Sequence, residues 1–433
     1  MEREAYNKML LWKQNEQRKP LILNGARQTG KTWLLETFGA SEYKKTAYIN
    51  CEKNKMMKDL FVQDYNMDRV IRVISALTEV DVEPENTLII LDEIQSIPEG
   101  LSSLKYFCED APQYHVAVAG SLLGIALHEK TSFPVGKVDM IRIFPMNFEE
   151  FVLAMGKTNM LEILQQRDYH AMKVLEQQFT DLLRQYYFVG GMPAAVSAYS
   201  NGKGPNAVRA IQKQILFDYS KDFSKHAPSK EVPRINMVWQ SIPSQLAKDN
   251  KKFIYGAMKK GARANEFEIA IQWLIDMGLI YKISRVKKPA IPLKFYEDLS
   301  AFKLFVLDCG LMGALSETPA GLILTDNSIF IEYKGAFTEL YVLQQMETIE
   351  SLPVYYYSSD DSRLEIDFVV QKDSRVIPVE VKAEENLKSK SLRQYITNNP
   401  GLKGIRFSMS PYRDQEWMEN IPLYAVLPEL REK

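Results

Sequence analysis

Short apolar runs alternate with amphipathic stretches through residues 21–150. LILNG (21–25), TAYINC (46–51), LIILDE (88–93), HVAVAGS (115–121) and IRIFPM (141–146) each read as a buried strand, and helical spacing recurs between them, notably at 30–38 and 99–110. A strand that is apolar at consecutive positions needs cover on both faces, so the alternation predicts a parallel sheet with helices above and below it. From about 148 to 215 the pattern is wholly helical, broken at VGGMP (189–193). Residues 235–280 predict three further helices, the last with Phe267, Ile271, Leu274 and Met277 at near-helical spacing before Gly278. LIYKISRV (279–286) and KFYEDLSAFKLFVLD (294–308) follow as strands around the turn KKPAIP, and three helices then a hairpin is the order of a winged helix. The tail predicts a helix (331–349), the strands PVYYYSS (353–359), EIDFVV (365–370) and VIPVEVK (376–382), a helix at about 387–396 and a strand IRFSMS (405–410). That is a separate small α/β module.

With 433 residues, 46% of them hydrophobic and 25% charged, the chain is too long for one ordinary core. The expected division is 18–150, 151–230, 231–310 and 325–433. A formal net charge of −1 excludes a uniformly basic nucleic-acid coat and leaves room for local basic patches. Cys51, Cys108 and Cys309 are widely spaced and odd in number, which argues against a disulfide framework and for a reducing, cytoplasmic location. His115, His128, His170 and His226 show no metal-ligand spacing. The first twenty residues lack the apolar core of a signal peptide, and no stretch approaches the roughly 20 apolar residues of a membrane helix. A soluble protein with no membrane partner is expected.

The chemistry concentrates first at Gly25-Ala26-Arg27-Gln28-Thr29-Gly30-Lys31-Thr32, which matches G-x-x-x-x-G-K-[ST] in full and is followed by Trp33. The glycines let the backbone curl so that its N–H groups converge on phosphates. The lysine neutralises charge at the β- and γ-phosphates, and the threonine hydroxyl coordinates magnesium. Such an octapeptide arises by chance in roughly one chain in a hundred of this length. Here it also follows an apolar strand and opens a helix, as the chemistry requires. LIILDEIQ (88–95) supplies the complement: Asp92 at the carboxyl edge of the sheet for the magnesium hydration shell, and Glu93 to polarise an attacking water. Ser121, at the end of HVAVAG, stands where a polar sensor of the γ-phosphate or a helix cap would stand.

GARQTGKT, LIILDEIQ, AGSLL and FPMNFEEF (144–151) together resemble the AAA-type domain of a family of prokaryotic "ATP-binding proteins" that carry a poorly characterised C-terminal domain. The likeness continues through KFIY, WLIDMGLIYKI, PLKFYED and FKLFVLDCGLM, so that it covers most of the chain. It implies ATP as the nucleotide. Relatives often carry a Gly-Arg pair before the last core strand, a candidate finger for a neighbour's ATP. Here the pair is Gly136-Lys137, and lysine lacks the bidentate fork. GGMP (190–193) resembles the G-x-P lid element of signal-transducing ATPases, which implies that Pro193 packs on adenine. A plain glycine-proline loop between helices is the competing reading.

Two later features bear on partners. Lys248, Lys251, Lys252, Lys259, Lys260 and Arg263 cluster before the proposed wing, which adds Arg285, Lys287, Lys288 and Lys294. That is the footprint a DNA backbone would meet, or else a solvated lysine face. In the tail, Glu339 on a helix, Asp367 on one strand, and Glu380 and Lys382 on the next resemble a PD-(D/E)xK nuclease core. Residues two apart on a strand share a face, so Glu380 and Lys382 point together, and Asp367 can join Glu380 on a divalent metal. Glu339 would add a further metal contact, and Ser391 or Tyr395 would line the groove. Three functional readings follow: ATP-gated DNA processing, a slow nucleotide switch acting on a protein partner, and a DNA-binding regulator without cleavage. The expected cofactors are ATP and Mg2+.

Overall fold

The computed structural model describes residues 2–54, 56–63, 65–120, 124, 133–248, 251–324, 331–361, 363–383 and 388–431. The chain divides into two compact units, one of Glu2–Phe144 with Asp276–Leu279, the other of Pro145–Ile275 with Ile280–Lys433. No helix among the described residues is long and apolar enough to cross a membrane.

The first unit is built on five strands: β1 (Leu21–Asn24), β2 (Lys45–Asn50), β3 (Thr87–Asp92), β4 (His115–Gly120) and β5 (Asp139–Arg142). They lie in the order β2-β3-β4-β1-β5, and every pairing is parallel. Successive residues of a strand face opposite sides, and here each side has its own core. Leu21, Leu23, Leu88, Ile90, Ala117 and Ala119 pack with Met9 and Trp12 of the helix Glu4–Gln14 and with Leu34, Leu35 and Phe38 of the helix Lys31–Glu42. Ile22, Ile89, Leu91, Val116 and Val118 pack on the other side with Val70 and Ile74 of Met67–Thr78 and with Leu101, Leu104 and Phe107 of Pro98–Asp110. The continuous apolar runs are thus two interleaved faces. The parallel, helix-covered sheet expected from the sequence is present.

The second unit opens with seven helices between Phe148 and Leu246 and closes with a mixed sheet. Its strands are β6 (Ile280–Val286), β7 (Glu297–Val306), β8 (Val354–Ser358), β9 (Glu365–Lys372), β10 (Arg375–Val381), β11 (Gly404–Ser408), β12 (Arg413–Asp414) and β13 (Met418–Pro422). They run in the order β12-β13-β11-β10-β9-β8-β6-β7. Two expectations change here. The middle helix of the supposed winged triad is a single 3₁₀ turn, Tyr255–Ala257, because Gly256 lies inside it, Gly261 soon follows, and glycine is a poor helix former. The hairpin β6–β7 is not a free wing: β6 pairs in parallel with β8 through Arg285–Tyr356 and Val286–Tyr357, so the hairpin forms one edge of the C-terminal sheet. The segments 231–310 and 325–433 therefore both contribute strands to one sheet.

Candidate functional site

The loop between β1 and its helix is held from within. Gly30 has φ of 90° and Gln28 has φ of 66°, left-handed values that turn the backbone into a cradle. A Cβ on Gly25 would stand 2.2 Å from the carbonyl oxygen of Ile143, so only glycine fits there. Lys31 is buried, and its Nζ donates to the carbonyls of Gly25 and Ala26, both at 2.8 Å. Burial pushes its ammonium down to about 8, against the opposing pull of the Glu93 and Asp92 carboxylates. Thr29 is buried and donates its hydroxyl to the carbonyl of Ala26 at 2.8 Å. Ala26 is buried, Arg27 is half-buried, and Trp33 is exposed on the first turn of the helix.

Asp92 closes the other side. Its Oδ2 accepts from Thr32 Oγ1 at 2.9 Å and from the hydroxyl of Tyr48 at 2.9 Å, while Oδ1 accepts the Glu93 N–H at 3.0 Å. The threonine hydroxyl and the aspartate oxygens, expected as magnesium partners, thus meet directly, and the donor set of hard oxygens suits that ion. Glu93 leaves β3 at φ of 51°, and Gln95 Nε2 donates to its Oε2 at 2.6 Å. Ser121 lies outside the described residues. Lys137 pairs with Glu109 at 2.8 Å.

Two residues of this site carried no sequence signal. Tyr48, on β2, reaches Asp92 from the neighbouring strand; burial, then the bond to Asp92, pushes its phenol up to about 12. Arg3 is only 7% exposed and donates to the carbonyls of Thr29 at 3.0 Å and Phe144 at 2.7 Å. An alternation of polar and apolar residues reveals Tyr48 only as half-buried, and nothing local reveals Arg3.

In the second unit, the GGMP loop is explained by its own surroundings. Gly191 donates its N–H to Asp308 at 2.6 Å and accepts from the Met146 N–H at 2.6 Å, and a Cβ on Gly190 would stand 2.2 Å from Asp308 Oδ1. Asp308 also caps the helix Cys309–Leu315 through the Leu311 N–H at 2.9 Å. Pro193 is half-buried at the first turn of the helix Pro193–Ser200.

The tail residues come together in a different company from the one expected. Glu339 is buried on the helix Ile331–Met346 and is ion-paired with Lys251 and, at 4.0 Å, with Lys303 of β7. Lys303 is fully buried, 2.6 Å from Glu365 and over the ring of Tyr356 at 4.8 Å. Burial works against the Glu339 carboxylate, but these two ammonium groups hold it below the usual range. Asp367 accepts the Val381 N–H at 2.8 Å and is pushed up to about 7 by burial and by the charge on Glu339. Glu380 is buried, with Lys382 Nζ at 3.2 Å, and it pairs across the ladder with Arg406. Among the described residues no three His, Cys, Asp or Glu gather in a way that could hold a metal ion. Glu339 and Glu380 are thus paired with Lys251, Lys303 and Lys382, while Asp367 has a backbone N–H as its partner. Tyr395 does not line a groove; it is buried in the core beside Tyr357.

Residues 17–152 match the family described as AAA domain. This segment is similar to AAA domains, and its parallel sheet carries the phosphate-loop motif Gly25–Thr32. Beyond it, residues 180–321 and 334–426 match two families, each described as a domain of unknown function (DUF8612 and DUF4143). Among solved structures the chain is similar to the Walker-type ATPase PABY2304 of Pyrococcus abyssi, at 13% identity and a TM-score of 0.45, covering 73% of this chain and 95% of that one. It is similar also to the ORC2 protein of Aeropyrum pernix in its ADPNP–ADP complexes, at 13% identity and a TM-score of 0.37, covering 77% and 91%. A third is Cdc6p of Pyrobaculum aerophilum, at 14% identity and a TM-score of 0.27, covering 72% and 92%. No curated protein matches the sequence. The loop, its lysine and the Thr32–Asp92 contact all lie within the segment that matches the AAA family.

Proposed function

We propose that the AAA domain binds ATP with magnesium on the loop Gly25–Thr32 and hydrolyses it. The observation that carries this reading is the meeting of Lys31, Thr32 and Asp92 at one end of a parallel sheet, with Glu93 next in the chain. The backbone N–H groups of residues 25–30 would take the phosphate oxygens, and Lys31 would exchange its two carbonyl partners for the β- and γ-phosphates. Thr32 and Asp92 would hold the magnesium ion, which supplies charge neutralisation at the phosphoryl oxygens. Glu93 would take the proton side of the attacking water, with Gln95 orienting its carboxylate. Titration calorimetry with Mg-ATP tests the binding half. Lys31→Ala should weaken affinity on the order of 100-fold, since a buried charge-assisted contact is removed. Undiminished affinity in that variant would overturn the assignment.

For the second unit we propose nucleotide-responsive DNA contact without cleavage. Lys259, Lys260, Arg263, Lys287 and Lys288 are exposed, whereas Lys251, Arg285 and Lys294 are engaged by Glu339, Asp298 and Glu297. The internally paired acids around Glu339 favour a binding platform over a metal-dependent nuclease. A slow switch acting on a protein partner is the alternative, and the absence of any DNA affinity would select it.

A further inference from the structure

We infer that Arg3 is a positioning residue for the nucleotide loop, clamping it to the segment through which the chain leaves the ATPase unit. This rests on the nucleotide reading above and adds a residue and a route to it. A guanidinium offers donors in a fixed planar fork, and a buried one must find acceptors for them. Arg3, just before the helix Glu4–Gln14, finds two on separate segments: Nη1 donates to Thr29 O and Nη2 to Phe144 O. The contact at Thr29 has a direct consequence for the site. In a trans peptide the carbonyl and the next N–H point in opposite directions. With the Thr29 carbonyl held by Arg3, the Gly30 N–H is aimed away from Arg3, and its orientation is fixed before any phosphate arrives.

The second acceptor gives the clamp its reach. The start of the loop already bears on the same short segment: Ile143 donates its N–H to Asn24 O at 2.7 Å, and the missing Cβ of Gly25 makes room for the carbonyl of Ile143. Arg3 adds the far end of the loop, at Thr29, to residue 144. Both ends of the phosphate loop are therefore tied to residues 143–144. Phe144 is followed by Pro145, where the chain passes into the second unit. The Arg142 guanidinium lies over the Phe144 ring at 4.7 Å and steadies the same residue. A change in the Thr29–Gly30 peptide on phosphate binding would be felt at Phe144 through one side chain.

The test compares wild type, Arg3→Lys and Arg3→Ala in steady-state ATP hydrolysis, in binding of a fluorescent ATP analogue, and in thermal unfolding without nucleotide. Lysine keeps the charge and much of the stem but cannot bridge two carbonyls as a fork, so it decides the matter where alanine fails to fold. The expected result is a KM and a dissociation constant raised on the order of tenfold in Arg3→Lys, with kcat within about twofold, the pattern of lost binding common to ground and transition states. A purely structural role would lower the melting temperature and leave KM and analogue affinity unmoved, and that result overturns the proposal. Failure of the wild type itself to bind the analogue would instead strike the nucleotide reading.

Discussion

Lys31 shows how a single residue reports on the site. Its ammonium is buried, and that burial pushes it down to about 8 while Glu93 and Asp92 hold it up. ATP needs the charged form, so affinity should fall as pH rises through about 8, with a proton taken up on binding above that value. Calorimetry in buffers of different ionisation enthalpy at pH 7 and pH 9 reads that proton directly; equal affinity and no proton uptake at pH 9 would contradict the account. The residues from Gly25 to Thr32 were legible because the motif is contiguous and its chemistry is local. Arg3, Tyr48, Lys251 and Lys303 were not, because each acts on a partner far along the chain, and side-chain type alone does not tell which buried carbonyl or carboxylate it will meet.

At the scale of elements, apolar runs located β1 to β5, and the interleaved cores explain why: each position of such a strand is buried on one side or the other. β13 escaped notice because its sequence, MENIP, carries Asn420, a polar residue that is buried and accepts from Arg406 Nε at 2.8 Å and Ser408 Oγ at 2.7 Å. The edge role of β6–β7 was equally hidden, since a hairpin pattern does not say which sheet it joins. His115 stands at the start of β4. It is buried against Tyr43, whose hydroxyl lies 2.6 Å from Nδ1, and Trp12 packs at its edge. Burial, aided by the charges of Arg18 and Lys13, pushes it down to about 4 from its ordinary 6.5. The unfolded chain therefore binds a proton that the folded one refuses between those values, and stability should fall as pH drops from about 6.5 to about 4. Thermal melts across that window should show a shallower fall in His115→Gln than in wild type; identical slopes would remove His115 from the account.

At the scale of the molecule, the chain joins a segment similar to AAA domains to a unit whose helices and eight-stranded sheet carry exposed bases and paired acids. The order of helix, three strands, helix and strand in the tail was legible from sequence, but the cations beside Glu339 come from Lys251 and Lys303, within a segment assigned on pattern to another domain. Two outcomes are expected with DNA. Neutralising Lys259, Lys260, Lys287 and Lys288 together should weaken binding and flatten its dependence on salt, as fewer counterions are released. Supercoiled plasmid incubated with the chain, magnesium and ATP should stay intact; nicking that disappears in Asp367→Asn would favour the nuclease after all. The most direct test of the central claim is turnover. In Glu93→Gln the loop, Asp92 and the carbonyl contacts of Lys31 are kept, so at pH 7, below the Lys31 value, Mg-ATP should bind with affinity close to wild type. Loss of a positioned general base costs about 10²–10⁴-fold in rate, so a single-turnover assay with labelled ATP should find hydrolysis slowed by that order and bound ATP trapped intact. Hydrolysis at the wild-type rate in Glu93→Gln, or no hydrolysis by the wild type with or without DNA, would contradict it.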